Sequence, residues 1–138
     1  MADLAAIREA LRVALTTVGT DVQVSGYLLG QPTPPTLQVL PGEQTYDRAM
    51  HRGLDIRTFT IQGFVAYNEG ETSQRLLDEL MAPTGIRSVK TALETDKTLG
   101  GVVSSLHVTS DSGYSMQLHP SGVWMLLCEW TAEVYLQN

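Results

Sequence analysis

The chain has 138 residues, 43% apolar and 17% charged, which fits one folded domain and excludes a disordered protein. Nine basic against fifteen acidic residues leave a formal charge of −6, which argues against general affinity for a nucleic-acid backbone, since that requires clustered Lys and Arg. One cysteine, Cys128, excludes an internal disulfide and fits a reducing compartment, and no stretch approaches the roughly 18 apolar residues of a membrane-spanning helix.

Leu4, Ile7, Leu11, Ala14, Leu15 and Val18 recur at helical spacing and predict an amphipathic first helix. Asp3 stands where it can cap that helix, and Gly19 where it can end it. Asp3, Arg8, Glu9 and Arg12 interrupt the apolar run, so it does not read as a signal peptide. A short strand is expected over 22–27. Prolines 32, 34 and 35 then fix φ and remove backbone donors, giving an extended surface connection. Leu37, Val39 and Leu40 predict a brief strand ended by Pro41.

Residues 41–53, PGEQTYDRAMHRG, follow neither the helical nor the strand period and predict a long flexible loop. Loops of that length in a small domain are functional or disordered, with a tolerated surface loop as the plain alternative. Tyr46, Asp47, Arg48, Met50 and Arg52 are the candidate partner contacts, because aromatic, Met and Arg side chains are enriched in interface cores.

Residues 54–67 predict a long strand with Phe59, Ile61, Gly63, Val65 and Tyr67 on one face. The apolar parity changes near Arg57, where a β-bulge would reconcile Leu54 and Ile56 with the rest. A second helix is expected over 72–82, with Leu76, Leu77, Leu80 and Met81 as its buried stripe. Glu69 and Glu71 precede it and Pro83 stops it. A third, short helix covers Ser88 to Thr95. The pair Gly100-Gly101 follows this helix, whereas glycines of a phosphate cradle open one. A helix stop leading into a strand with Val102, Val103, Leu106 and Val108 is the better reading.

The last stretch alternates most regularly. Trp124, Leu126, Cys128, Trp130, Ala132, Val134 and Leu136 take every even position, while the odd side changes from Val123, Met125 and Leu127 to Glu129, Thr131 and Glu133. The doubly apolar start makes Val123, Met125 and Leu127 a candidate subunit interface. A strand this long exceeds what most small domains use, so part of it is expected to serve a neighbour. The element order predicts an α+β fold, a single domain over 1–138 in which an N-terminal helix and two further helices pack a mostly antiparallel or mixed sheet.

Chemistry is sparse. His51, His107 and His119 lack the spacing of a zinc site, and Asp111 with His119 is the one pairing to weigh. No serine sits in G-x-S-x-G. Cys128 alternates with apolar neighbours and reads as a buried structural thiol. Glu129 and Glu133 share a strand face and read as solvated. Trp124 and Trp130 lie on one face and read as core; a small ligand-binding module stacking a sugar or base on them is the alternative. No catalytic, metal or cofactor-binding residue is assigned, and no enzymatic activity is expected.

The segments PTPPTLQVLP (32–41), TYDRAMHRGLD (45–55), SQRLLDEL (73–80), SVKTALETDKTLGGVV (88–103) and WMLLCEWTAEVYLQ (124–137) stand in an order and spacing that span nearly the whole chain. Together they resemble the tail terminator proteins of long-tailed, siphovirus-like phages, the group that includes the lambda tail terminator. The resemblance implies a small α+β subunit that closes a homo-hexameric ring on the completed tail tube, stops tube growth and presents the joining surface for the head. It implies no enzymatic activity and no cofactor. The implied partners are further copies of itself, the major tail tube protein and a head-completion connector protein, with DNA only as passing cargo and no membrane. The implied location is the virion neck, with assembly in the host cytoplasm. A head-completion or tail-completion protein of the neck is the neighbouring alternative.

Overall fold

The computed structural model describes residues 4–19, 22–26, 35–45, 54–67, 72–113, 115–118, 122 and 124–137. In chain order the elements are α1 (Leu4–Leu15, followed by a 3₁₀ turn at Thr16–Val18), β1 (Gln23–Ser25), β2 (Thr36–Thr45) and β3 (Leu54–Ala66). They continue with α2 (Thr72–Met81), α3 (Val89–Glu94), β4 (Ser105–Asp111), β5 (Ser115–Leu118) and β6 (Trp124–Gln137). The fold is α+β, with one mixed six-stranded sheet.

The two longest alternating stretches form the middle of that sheet. β3 and β6 pair antiparallel without a break from Leu54↔Gln137 to Ala66↔Met125. β2 lies antiparallel on the far side of β3, and β1 adds parallel to β2, giving the order β1-β2-β3-β6-β4. The other edge of β6 is shared end to end. β4 pairs with its later half, from Asp111↔Trp130 to Ser105↔Tyr135, and β5 with its start, from Ser115↔Leu127 to Leu118↔Trp124. The whole length of β6 is therefore paired on at least one side inside the subunit.

All three helices cover one face. Ile7, Leu11 and Leu15 of α1, Leu77 and Leu80 of α2, and Val89 and Leu93 of α3 are buried. They form one core with Leu37, Val39, Phe59, Ile61, Leu106, Cys128, Trp130, Ala132 and Val134 of the sheet. Helical spacing places each stripe on the sheet side, and burial of these apolar groups supplies the main driving force. Ser88 caps α3 by accepting the Thr91 N–H at 3.2 Å, and its own hydroxyl donates to the Ala82 carbonyl, fixing the turn from α2.

The other face carries Thr36, Gln38, Phe64 and Met125, also buried. Gln38, Gln62 and Glu129 lie in register across three strands: Gln38 Nε2 donates to Gln62 Oε1 at 2.8 Å, and Gln62 Nε2 to Glu129 Oε2 at 3.2 Å. This amide ladder lets two polar side chains sit on a sheet without unmet hydrogen bonds.

Three boundaries differ from those read in the sequence. β2 runs through Pro41 to Thr45, so the first five residues of the predicted loop are strand. An edge-side proline is tolerated because the strand is irregular there, with a register shift between Pro41 and Gln44. The bulge expected in β3 near Arg57 is corrected: β3 stays regular against β6, so Leu54 and Ile56 keep the parity opposite to Phe59 and Ile61, and the irregularity lies instead in β2, opposite Arg57 to Phe59. The strand after the glycines begins at Ser105, so Val102 and Val103 belong to the preceding turn, where Val103 is buried. β1 covers only the middle of the expected 22–27 strand. The rest of the predicted loop, 46–53, with Tyr46, Asp47, Arg48, Met50, His51 and Arg52, lies outside the described residues.

Candidate functional site

The candidate interface at the start of β6 is largely filled from within. Met125 is 3% exposed, because it lies on the second sheet face, flanked in register by Ala66 of β3 and Gln117 of β5. Leu127 is half-buried beside Phe64, and Val123 lies outside the described residues. The open surface is one residue away, on the opposite parity. Trp124 is 50% exposed and does not join the core. Around it stand Tyr67, Met116 and Leu118, all exposed. The Tyr67 N–H donates to the Trp124 carbonyl at 3.0 Å, and Leu118 is the register partner of Trp124.

A second apolar surface lies between α1 and the segment after α3. Ala6, Ala10 and Ala14, spaced four apart on α1, are too small to fill the space facing Ala92, Leu99 and Val102, and leave a groove of about 770 Å³. Val13, 53% exposed, stands on its wall. Glu9 and Asp96 mark the rim. Glu9 is paired with Arg12, whose guanidinium holds its carboxyl below the usual range. Asp96 accepts from the Thr98 hydroxyl at 2.8 Å and from the Gly100 and Thr98 amides at 2.9 and 3.1 Å, which also hold its carboxyl low.

That turn settles the role of the paired glycines. α3 has already ended at Glu94, and Leu99, Gly100 and Gly101 follow with φ of 51°, 71° and 92°. Gly100 and Gly101 meet the demand for left-handed backbone; Leu99 accepts the strain while burying its side chain in the core. The Gly100 amide is taken by Asp96, whose charge would repel a phosphate, and the Gly101 amide by the Thr98 carbonyl. The pair turns the chain.

Beyond the turn, Glu94 binds α3 to the edge of the sheet. Its Oε2 accepts from Lys90 Nζ at 2.6 Å and from the Val108 N–H at 2.9 Å, with His107 Nδ1 at 3.4 Å. Burial pushes the Glu94 carboxyl up, but the Lys90 ammonium, the Val108 amide and His107 outweigh it and leave the carboxyl below its usual range. His107 is exposed on the strand, as its parity required.

The remaining chemical candidates are dispersed. Cys128 is fully buried, and burial together with the Asp111 charge pushes its thiol up to about 11. Glu129 is held by Gln62, while Glu133 Oε2 accepts from Tyr135 Oη at 2.7 Å. Asp111 accepts the Gly113 N–H at 3.1 Å in a tight turn, and His119 lies outside the described residues. Trp130 is 2% exposed beneath the helices, so it shares no open platform with Trp124, and the two-tryptophan ligand surface is corrected. Among the described residues no group of three His, Cys, Asp or Glu stands close enough to hold a metal ion, and no helix is long and apolar enough to cross a membrane.

Both apolar surfaces escaped the sequence reading. The four-residue spacing of Ala6, Ala10 and Ala14 was the available signal for the groove, and the shared parity of Met116, Leu118 and Trp124 was that for the sheet end. Compared with known proteins, the chain matches no protein-family model, and no curated protein matches it.

Proposed function

We propose that the chain is a structural assembly subunit, a tail terminator that forms a six-membered ring on the tail tube of a long-tailed phage, halts tube growth and receives the head. The observation that carries the reading is a pair of unlike apolar features on one subunit. The α1–α3 groove is concave, and Ile86, 88% exposed on the turn between α2 and α3, is a projecting knob. A ring needs a head-to-tail contact between two different patches of the same chain, and a knob with a groove is the simplest such pair. The formal charge of −6 per copy is compatible with a passage that DNA traverses without being held. The order of segments that resembles tail terminators supports the same reading.

Deleting the gene from the phage and viewing the lysate by electron microscopy tests it. The expected result is DNA-filled heads beside abnormally long tails, since each added tube ring presents the same surface again. Tails of normal length that lack heads would assign the chain to head completion instead, and normal infectious particles would overturn a neck role altogether.

A further inference from the structure

The outer rim formed by β4 and β5 meets no further strand among the described residues. Its two halves are built differently. On β4 the Glu94 carboxylate occupies the Val108 N–H, a register shift interrupts the strand between Val108 and Ser110, and His107 and Asp111 add titratable groups. Charge, irregularity and a side chain over the edge are the means by which proteins prevent an edge strand from pairing. β5 has none of them. Ser115, Met116, Gln117 and Leu118 are all exposed and uncharged, their register with β6 is regular, and the paired stretch Trp124 to Leu127 is uncharged as well. Beside this edge Met116 and Leu118, 51% and 54% exposed, extend the apolar surface of Trp124 and Tyr67. Backbone groups at an open edge with alternate apolar side chains are what an added strand uses.

We propose that β5 is a self-association edge, to which a second copy of this chain adds its own β5 in antiparallel orientation. Two considerations select a second copy. Each copy carries a formal −6, so two copies approach with least repulsion through an uncharged stretch, and β5 is such a stretch. An antiparallel edge is also its own complement under a two-fold axis. The register follows from the pleat. Residues directly opposite share a sheet face, so the axis passes through a residue rather than between two. Centring on Gln117 sets Met116 of each copy opposite Leu118 of the other, twice; centring on Met116 forms only one apolar pair. The contact is closed and two-fold, whereas a ring needs head-to-tail contacts. It stands apart from the terminator reading, and either can fail without the other.

Oxidative cross-linking decides it. Gln117→Cys places one thiol per copy beside the axis, within the span a disulfide bridges. Cys128 stays silent because it is fully buried. Diamide, which takes up the two thiol hydrogens, should convert Gln117→Cys to a covalent dimer at least roughly ten times faster than Gln74→Cys, since pairing raises the effective thiol concentration. Gln74 is exposed on α2, away from β5, the groove and Ile86, and reports random collision. Adding Met116→Lys should return the Gln117→Cys rate to that baseline, with the circular dichroism spectrum unchanged. Equal rates for the two cysteine variants, or a rate indifferent to Met116→Lys, overturn the proposal.

Discussion

Gly63 lies in the middle of β3, opposite Leu37 of β2 and Cys128 of β6. A Cβ added there would stand 2.7 Å from Trp130 Cζ3 and 3.1 Å from both Trp130 Cη2 and Leu37 Cδ2. Carbon atoms in comfortable contact are about 3.5–4.0 Å apart. Trp130 is 2% exposed and Leu37 fully buried, so neither side chain can swing into solvent to make room. Gly63→Ala therefore forces an overpacked core, which costs about 1–3 kcal/mol. The relief of glycine's extra backbone entropy offsets up to about 1 kcal/mol of that. With a 2.7 Å contact on a buried ring the overpacking falls in the upper half of its range. The net loss is therefore about 1–2 kcal/mol, a fall in Tm of roughly 3–8 °C for a domain of this size. Thermal melts followed by circular dichroism read it, and urea titration at constant m checks that the denatured state is unchanged. Trp130→Phe removes the six-membered indole ring from above the glycine. In the double-mutant cycle, Gly63→Ala should cost at least about 0.5 kcal/mol less in the Phe background than in the wild type. An unchanged Tm for Gly63→Ala, or costs that simply add, would refute the close packing of Trp130 on this backbone.

Gly100→Val should lose about 1–2 kcal/mol. At φ 71° its added Cβ meets nothing within 4 Å, so the cost is backbone strain alone, and Gly100→Asn should lose less by thermal melt. Glu94 has a lowered folded pKa, so its stabilising contribution is complete above its unfolded value of 4.5 and is lost as pH falls through the lower folded value. Tm of the wild type should accordingly drop more steeply than that of Glu94→Gln between about pH 5 and about pH 3, and parallel curves would remove the clamp on Val108. Cys128, with its thiol near 11, should resist iodoacetamide at about pH 8 in the folded protein and react fully in urea; labelling of the native chain would contradict its burial.

Periodicity carried far in this chain. The i, i+3, i+4 pattern placed α2 and α3 to within a residue at each end and α1 at its start, with the expected last turn at Thr16–Val18 wound as 3₁₀, and strict alternation placed β6 from Trp124 to Gln137. Those signals are local: a side chain's position on a helix or pleat follows from its neighbours in sequence, whatever lies across from it. The buried, inert state of Cys128 followed from the same alternation. The turning role of Gly100-Gly101 was also legible, because the order helix, glycine, strand already excluded an anion cradle.

Other features depend on what packs against what. Pro41 and Gly42 read as a loop, yet lie in β2, because the regular β3 beside them supplies partners around a bulge. Met125 and Leu127 read as an outward surface, but the second face of the sheet is itself partly covered, and Met125 is buried there. Trp124 and Trp130 are equivalent by parity, yet Trp130 lies in the core cluster under the helices while Trp124, at the start of β6, is half exposed outside it. The groove beside α1 exists only because three alanines face Ala92, Leu99 and Val102 from another part of the chain. Sequence determined which face of each element is apolar, since that depends on spacing along one strand or helix. Which apolar faces remain open was decided by tertiary structure, because exposure is what is left after every other element has taken its place.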